Sequence, residues 1–441
     1  MFSMTARQLA AEIRQRRLGV EEVARAFLAR IEKYGGKGGL NAVAELNEAV
    51  LDQARAMDNL KSGRDGAMFG LPVLIKDNID VAGLHTTAGS LALADNLAWK
   101  DAPIVDNLRR SGALILGKTN MTEFANYTGA RTPNGYSARG GQVINAYDPQ
   151  KDPSGSSTGS AVAMSAGLCA AAIGTDTSFS IVGCATDNGV TGLKPPHGAL
   201  SSQGILPIAR TLDSAGPITR DLRDALLVCS CMRDRPLNPI EPAPPEKIRL
   251  AVNLYNQEQV SKAQLERYDR LFSALRADGA QIETVQHPYC PHQKDIMRYE
   301  FRHDLEAYLS ESRARRRTLE EIVRYYEEHP ATMPYGIEYL RGALDGPSGK
   351  LDDEIYLRAL AERQKLGAQL AEDLKKYDAC LMTGPTNVMH FMGFPSLALR
   401  LCMAQDGTPR GMILYGADEE KLYAAALTME KYASPIPLPP L

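Results

Sequence analysis

The run Leu71 to Ile75 (LPVLI) is apolar throughout, with no polar alternation, and the residue that follows it is Lys76. A strand with water on one face alternates apolar and polar side chains, so an unbroken short run reads as a buried strand, here ending at Lys76. Two further runs of this kind, Ala113 to Leu116 and Ala170 to Gly174, each follow a helical pattern, Ala102 to Ser111 and Gly159 to Gly167. Strand and helix alternate along the chain, which predicts the α/β class.

The remaining chain is read around that centre. Before it come helical patterns over Thr5 to Arg17, with Leu9, Ala10 and Ile13 on one face, over Val20 to Tyr34, and over roughly Glu45 to Leu60. The Pro-dense stretch Arg235 to Lys247 (RPLNPIEPAPPEK) reads as a connector, and a strand-like IRLAVNLY follows it. From about Ser261 to Tyr377 the sequence is mostly charged and helical. The basic run Ser312 to Arg317 (SRARRR) reads as a solvated helix face balanced by Glu320 and Glu321. Apolar strand-like runs return at Ala379 to Met382, Ser396 to Leu401 and Met412 to Leu414, so the last segment is expected to rejoin the first sheet.

Composition excludes several classes. Of 441 residues, 44% are hydrophobic, enough for a large core. Fifty Lys and Arg against 53 Asp and Glu leave a formal charge of −3, so no basic surplus points to nucleic acid or to an anionic membrane. Seven cysteines are too few and too scattered for a disulfide framework and fit a reducing compartment. The most apolar stretch, Ala161 to Gly174, is short and broken by Ser and Gly, so no membrane span is expected, and the lack of a long apolar run between the first residues and Arg7 leaves a secretory leader unexpected. A cytoplasmic location is the expectation.

The most unusual stretch is Asp152 to Ser160 (DPSGSSTGS), directly before an Ala-rich helical run. Such a density of Ser, Thr and Gly offers hydroxyls and close backbone approach at a helix N-terminus. Gly174 to Ser180 (GTDTSFS) ends a small-residue strand in a second polar turn, 24 residues beyond Ser156, so the two turns can face one another. A serine hydroxyl needs a base to become a nucleophile. His85 and His197 have no acidic partner at a motif-like spacing, and the G-x-S-x-G pattern fails at Ser180, which leaves a Ser-His-Asp triad unsupported. Lys76, at the end of a buried strand, is the alternative base, because burial can bring a lysine far below its solution pKa of about 10.4.

The segments FGLPVLIKDNIDVAG, GKTNMTEFA, DPSGSSTGSAVAMSAG, GTDTSFSI and GLKPPHG, in this order, resemble the amidase signature family of Ser-cis-Ser-Lys hydrolases. The resemblance runs from about Thr5 to Arg223 and resumes at FPSLALRLCMAQDGTPRGMILYG. It implies a central mixed β-sheet covered by α-helices on both faces. It also implies one domain over 1–441, with N-terminal helices (1–60), a catalytic core (61–230), a variable, mostly helical part that shapes the substrate site (245–377) and a return to the core sheet (378–441). By the same resemblance Lys76 is the catalytic base, Ser156 the proton relay preceded by a cis peptide bond, and Ser180 the acyl-forming nucleophile. The backbone N–H groups of Thr177, Ser178, Phe179 and Ser180 would form an oxyanion hole, with Ser157, Thr158 and Asp176 holding the hydroxyls and the turn in place. The implied activity is cofactor-free hydrolysis of a small or medium carboxamide, with a homodimer left open. Other readings are a glutaminase-type subunit of a tRNA-dependent amidotransferase, an acyl transferase, and a catalytically silent binding subunit.

The sequence departs from the family pattern at five positions. Ser178 and Phe179 stand where two glycines usually precede the nucleophile. Val182 stands where arginine is common, and Ser154 and Thr158 replace glycines of the first turn. A bulky Phe179 either reshapes the oxyanion hole or narrows the acyl pocket, although both residues keep their N–H groups. Cys229 and Cys231 form a C-x-C without suggestively spaced further ligands and read as structural thiols, and Cys184 reads as a small core residue.

Overall fold

The computed structural model describes all 441 residues. Its centre is an 11-stranded sheet. From one edge to the other the strands are Val43–Leu46, Leu114–Thr119, Pro72–Lys76, Ala171–Asp176, Ser214–Thr219, Thr191–Lys194, Ser396–Met403, Pro409–Tyr415, Ala379–Met382, Arg249–Asn253 and Gln281–Val285. Pro72–Lys76 runs parallel to both neighbours, with Val73 opposite Ile115 on one side and Ala171 on the other. The centre, from Ala171–Asp176 to Pro409–Tyr415, is antiparallel, and the far edge is parallel again. The sheet is therefore mixed, and the last part of the chain rejoins it beside Thr191–Lys194, as the apolar runs lead one to expect.

Side-chain alternation divides the core between the two faces. Leu250 and Val252, Leu397 and Leu399, and Met412 and Leu414 enter one apolar cluster, packed under the helices Leu222–Met232, Lys262–Ala277 and Glu419–Met429. Their neighbours Ala251, Ala398, Ile413 and Tyr415 enter a second, larger cluster. A period of two in an apolar strand thus supplies two cores, which is why these strands read as unbroken hydrophobic runs. No helix is long and apolar enough to cross a membrane.

Three local readings are corrected by tertiary contacts. The helical pattern placed over Glu45 to Leu60 is split into the strand Val43–Leu46 and the helix Val50–Asp58. The first part pairs antiparallel with Leu114–Thr119, and Asn47 ends it: its N–H donates to Leu116 O (2.8 Å) and its Nδ2 to Ile115 O (3.0 Å). Pairing with an existing sheet edge outweighs local helical preference. The pattern over Val20 to Tyr34 is an α-helix only as far as Arg30 and continues as a π-turn, Ile31–Gly35. The basic run Ser312 to Arg317 is not a helix face but the loop between the helices Gln293–Glu311 and Leu319–Glu328. Its groups are held by outside acceptors: Arg315 N by Asp95 (3.0 Å) and Arg316 Nη1 by Ala92 O (2.9 Å), with the Arg316 guanidinium 4.4 Å from the Tyr325 ring centre.

Candidate active site

The site collects at the carboxyl ends of adjacent parallel strands, where loops leaving a sheet in the same direction come together. Lys76 ends Pro72–Lys76, and Thr175 and Asp176 end the neighbouring Ala171–Asp176. The register places Ile75 opposite Ile173, so Lys76 falls level with Gly174, one residue before Thr175. Between them lies the N-terminus of the helix Thr158–Ser165, preceded by Ser156 and Ser157. The peptide bond Gly155–Ser156 is cis.

These elements align three side chains. Lys76 Nζ is 2.8 Å from Ser156 Oγ, and Ser156 Oγ is 3.0 Å from Ser180 Oγ. Ser156 N–H also donates to Ser180 Oγ at 3.0 Å. Lys76 and Ser156 are fully buried and Ser180 is 5% exposed. Ser157 Oγ and Thr175 Oγ1 each lie 2.9 Å from Lys76 Nζ. Burial pushes the Lys76 pKa down to about 7, against the pull of Asp176 and Asp213.

Hydrogen-bond accounting orients the amine. Ser157 Oγ donates to Thr175 O (3.0 Å) and accepts from Thr175 N (3.2 Å), so towards Lys76 it acts as an acceptor. Thr175 Oγ1 accepts from Asn78 Nδ2 (3.1 Å) and can take the second Lys76 N–H. A neutral amine has two N–H groups and one lone pair. With both N–H groups of the neutral amine directed at Ser157 and Thr175, its lone pair would face Ser156. Gly174 makes room for this cluster, since a Cβ there would stand 2.7 Å from Ser157 Oγ.

The turn Thr177 to Ser180 is tied from several sides. Asp176 Oδ2 accepts Ile181 N (2.8 Å) and Val182 N (3.2 Å). Burial opposes ionisation of Asp176, but His390, the Ile181 N–H and Lys194 outweigh it and hold the carboxyl below its usual range. Thr177 Oγ1 donates to Asp213 Oδ1 (2.5 Å), and Gln293 Nε2 donates to Thr177 O (3.1 Å). Thr158 Oγ1 donates to Ser154 O (2.6 Å) and steadies the first turn. Two departures from the family pattern take the left-handed backbone that glycine favours, Phe179 at φ +67° and Ser154 at φ +61°. An L side chain there costs about 1–2 kcal/mol, which these ties offset.

Of the four amides expected to form an oxyanion hole, that of Phe179 is occupied, donating to His390 Nε2 at 3.2 Å. Those of Thr177, Ser178 and Ser180 donate to no group within the chain. His390, Gln293, Asp213, Thr175 and Asn78 are not among the residues the sequence singles out. Thr175 could have been found, because it lies one residue before Asp176 on the strand beside Lys76. Nothing local marks His390 or Gln293, which come from a short helix and from the charged middle of the chain. His85 pairs with Glu45 and His197 contacts Asp213 O, neither touching the serines. Cys184 is a buried core residue, as its surroundings in sequence suggest.

Comparison with known proteins identifies the family. The family model Amidase matches residues 22–388. A probable amidase of Arabidopsis thaliana is 30% identical, over 95% of this chain and 87% of its own length. A glutamyl-tRNA(Gln) amidotransferase subunit from an Exiguobacterium species is 29% identical, over 91% and 92% respectively. The native peptide amidase of Stenotrophomonas maltophilia superposes with a TM-score of 0.91 at 31% identity, covering 99% of this chain and 98% of that one. Sequence, fold and family match lead to one assignment: the chain belongs to the amidase signature family of hydrolases, which act on amide carbon–nitrogen bonds.

Proposed function

We propose that the chain hydrolyses a small carboxamide through an acyl-enzyme on Ser180, with Lys76 as base and Ser156 as proton relay. The observation that carries this reading is the unbroken line Lys76 Nζ, Ser156 Oγ, Ser180 Oγ at 2.8 and 3.0 Å. Neutral Lys76 takes the Ser156 proton while Ser156 takes that of Ser180, and Ser180 Oγ adds to the amide carbonyl. The carbonyl oxygen becomes an oxyanion facing the free turn amides, each such donor being worth about 3 kcal/mol in the transition state. Collapse breaks the C–N bond as the proton returns from Lys76 through Ser156 to the leaving nitrogen. Water then enters by the same relay, and the carboxylic acid leaves.

The likeness to the peptide amidase supports an amidated peptide as the first substrate class to test, acting within one domain. A second reading, a glutaminase subunit that passes ammonia to a partner, draws on the amidotransferase relative. Intact-mass labelling with a small fluorophosphonate tests the mechanism: wild type takes up one equivalent and Ser180→Ala none. A wild type that stays unlabelled by probes of several sizes would overturn it. Release of free ammonia from an amidated dipeptide by the isolated chain favours the hydrolase over the partnered glutaminase.

A further inference from the structure

The turn that presents Ser180 is gripped by a residue outside every segment of the family resemblance. His390 lies fully buried on the short helix Val388–Met392. Its Nε2 accepts the Phe179 N–H at 3.2 Å, and its ring meets the Phe179 ring edge-on, 4.3 Å between centres at 66°. Because Nε2 accepts, the imidazole proton sits on Nδ1, and Nδ1 is 3.2 Å from Asp176 Oδ1, off the line of a hydrogen bond but in direct polar contact. The other oxygen of Asp176 holds the Ile181 and Val182 amides. Asp176 and His390 therefore enclose the nucleophile turn, fixing the amides of residues 179, 181 and 182.

The same segment reaches the turn a second time. Asn387, the residue just before the His390 helix, donates Nδ2 to Gln293 Oε1 at 2.8 Å, and Gln293 Nε2 donates to Thr177 O at 3.1 Å. The turn is thus held at Thr177 and at Phe179, and Ser178 lies between two fixed points.

We infer that His390 is a positioning residue for the oxyanion turn. By accepting the Phe179 N–H and resting on Asp176, it keeps residue 179 in its left-handed conformation and leaves the Ser178 and Ser180 amides for the developing oxyanion. The inference rests on the Ser180 acyl-enzyme reading.

The test compares His390→Gln, whose Oε1 can accept the same N–H, with His390→Met, of similar length and without a comparable acceptor. The readout is the inactivation of Ser180 by a small fluorophosphonate, whose phosphoryl oxygen takes the place of the oxyanion, resolved into a maximal rate and a half-saturating probe concentration. His390→Met should lower the maximal rate roughly 10- to 100-fold with half-saturation within about twofold, and His390→Gln should recover most of it. Melting temperatures of the two variants separate a rate effect from loss of the fold. A His390→Met protein that labels at the wild-type rate overturns the inference alone, as do Gln and Met variants that are equally slow. A His390→Met protein slow only because it melts far below the Gln variant also overturns it. A wild type that never labels overturns the acyl-enzyme reading and this one with it.

Discussion

Replacing Lys76 by Met separates the two consequences of a buried lysine, one for catalysis and one for stability. Burial lowers its pKa from 10.5 to about 7. At about 1.4 kcal/mol per pH unit, that shift amounts to ~5 kcal/mol of unfavourable charge burial where the group is protonated in both states. Between pH 7 and about pH 10 the unfolded chain binds a proton at this position that the folded chain does not, so wild-type stability rises with pH across that window. Below pH 7 both states are protonated and the full penalty applies. Lys76→Met carries no such penalty but forfeits hydrogen bonds to Ser157 and Thr175, at about 1 kcal/mol each. The variant is therefore expected to be more stable than wild type by about 2–3 kcal/mol at pH 6, with the difference narrowing by ~2 kcal/mol from pH 7 to pH 9. Guanidinium unfolding of both proteins at pH 6, 7, 8 and 9 measures this. Parallel stability profiles would refute the depressed pKa. In wild type the rate of Ser180 labelling should also climb about tenfold per pH unit up to about pH 7 and then level, as the neutral amine becomes the dominant form.

Three other outcomes follow from the site. Ser156→Ala interrupts the relay while leaving the Ser156 N–H contact to Ser180 Oγ, so labelling by fluorophosphonate should slow by about 10²–10⁴-fold without being abolished. Gly174→Ala places a methyl 2.7 Å from Ser157 Oγ, and denaturant unfolding should show a loss of about 1–3 kcal/mol together with slower labelling. Thr175→Val removes the hydroxyl that accepts one Lys76 N–H and one of the two Asn78 Nδ2 N–H groups, the other staying on Leu206 O, and the same unfolding assay should register a loss of about 1–3 kcal/mol.

Much of the candidate site is legible in the sequence because its chemistry is local. Lys76 is marked by the apolar run that buries it, and Ser156 and Ser180 by two turns too rich in Ser and Gly to be packed elements. A helix and a strand join those turns, and so return the chain to the same end of the sheet. The strand over residues 43–46 escapes a sequence reading because a short amphipathic segment has no fixed preference until a sheet edge is offered to it. The loop at Ser312 to Arg317 escapes it for a related reason, since Ala92 O and Asp95 capture groups that a solvated helix would leave to water.

By itself, the sequence determined the α/β class, the buried strand that ends in a lysine, and the serine pair at a spacing that lets two turns meet. All of these depend on residues near one another in the chain, where periodicity and turn chemistry act. Only the tertiary structure decided where Lys76 directs its lone pair, because that depends on hydroxyls from two other segments using up its N–H groups. It alone also decided how a turn lacking its usual glycines is held. His390 and Gln293 reach Phe179 and Thr177 across more than a hundred residues of sequence, and hydrogen bonds between such distant groups leave no periodic trace, since only folding brings their atoms within about 3 Å.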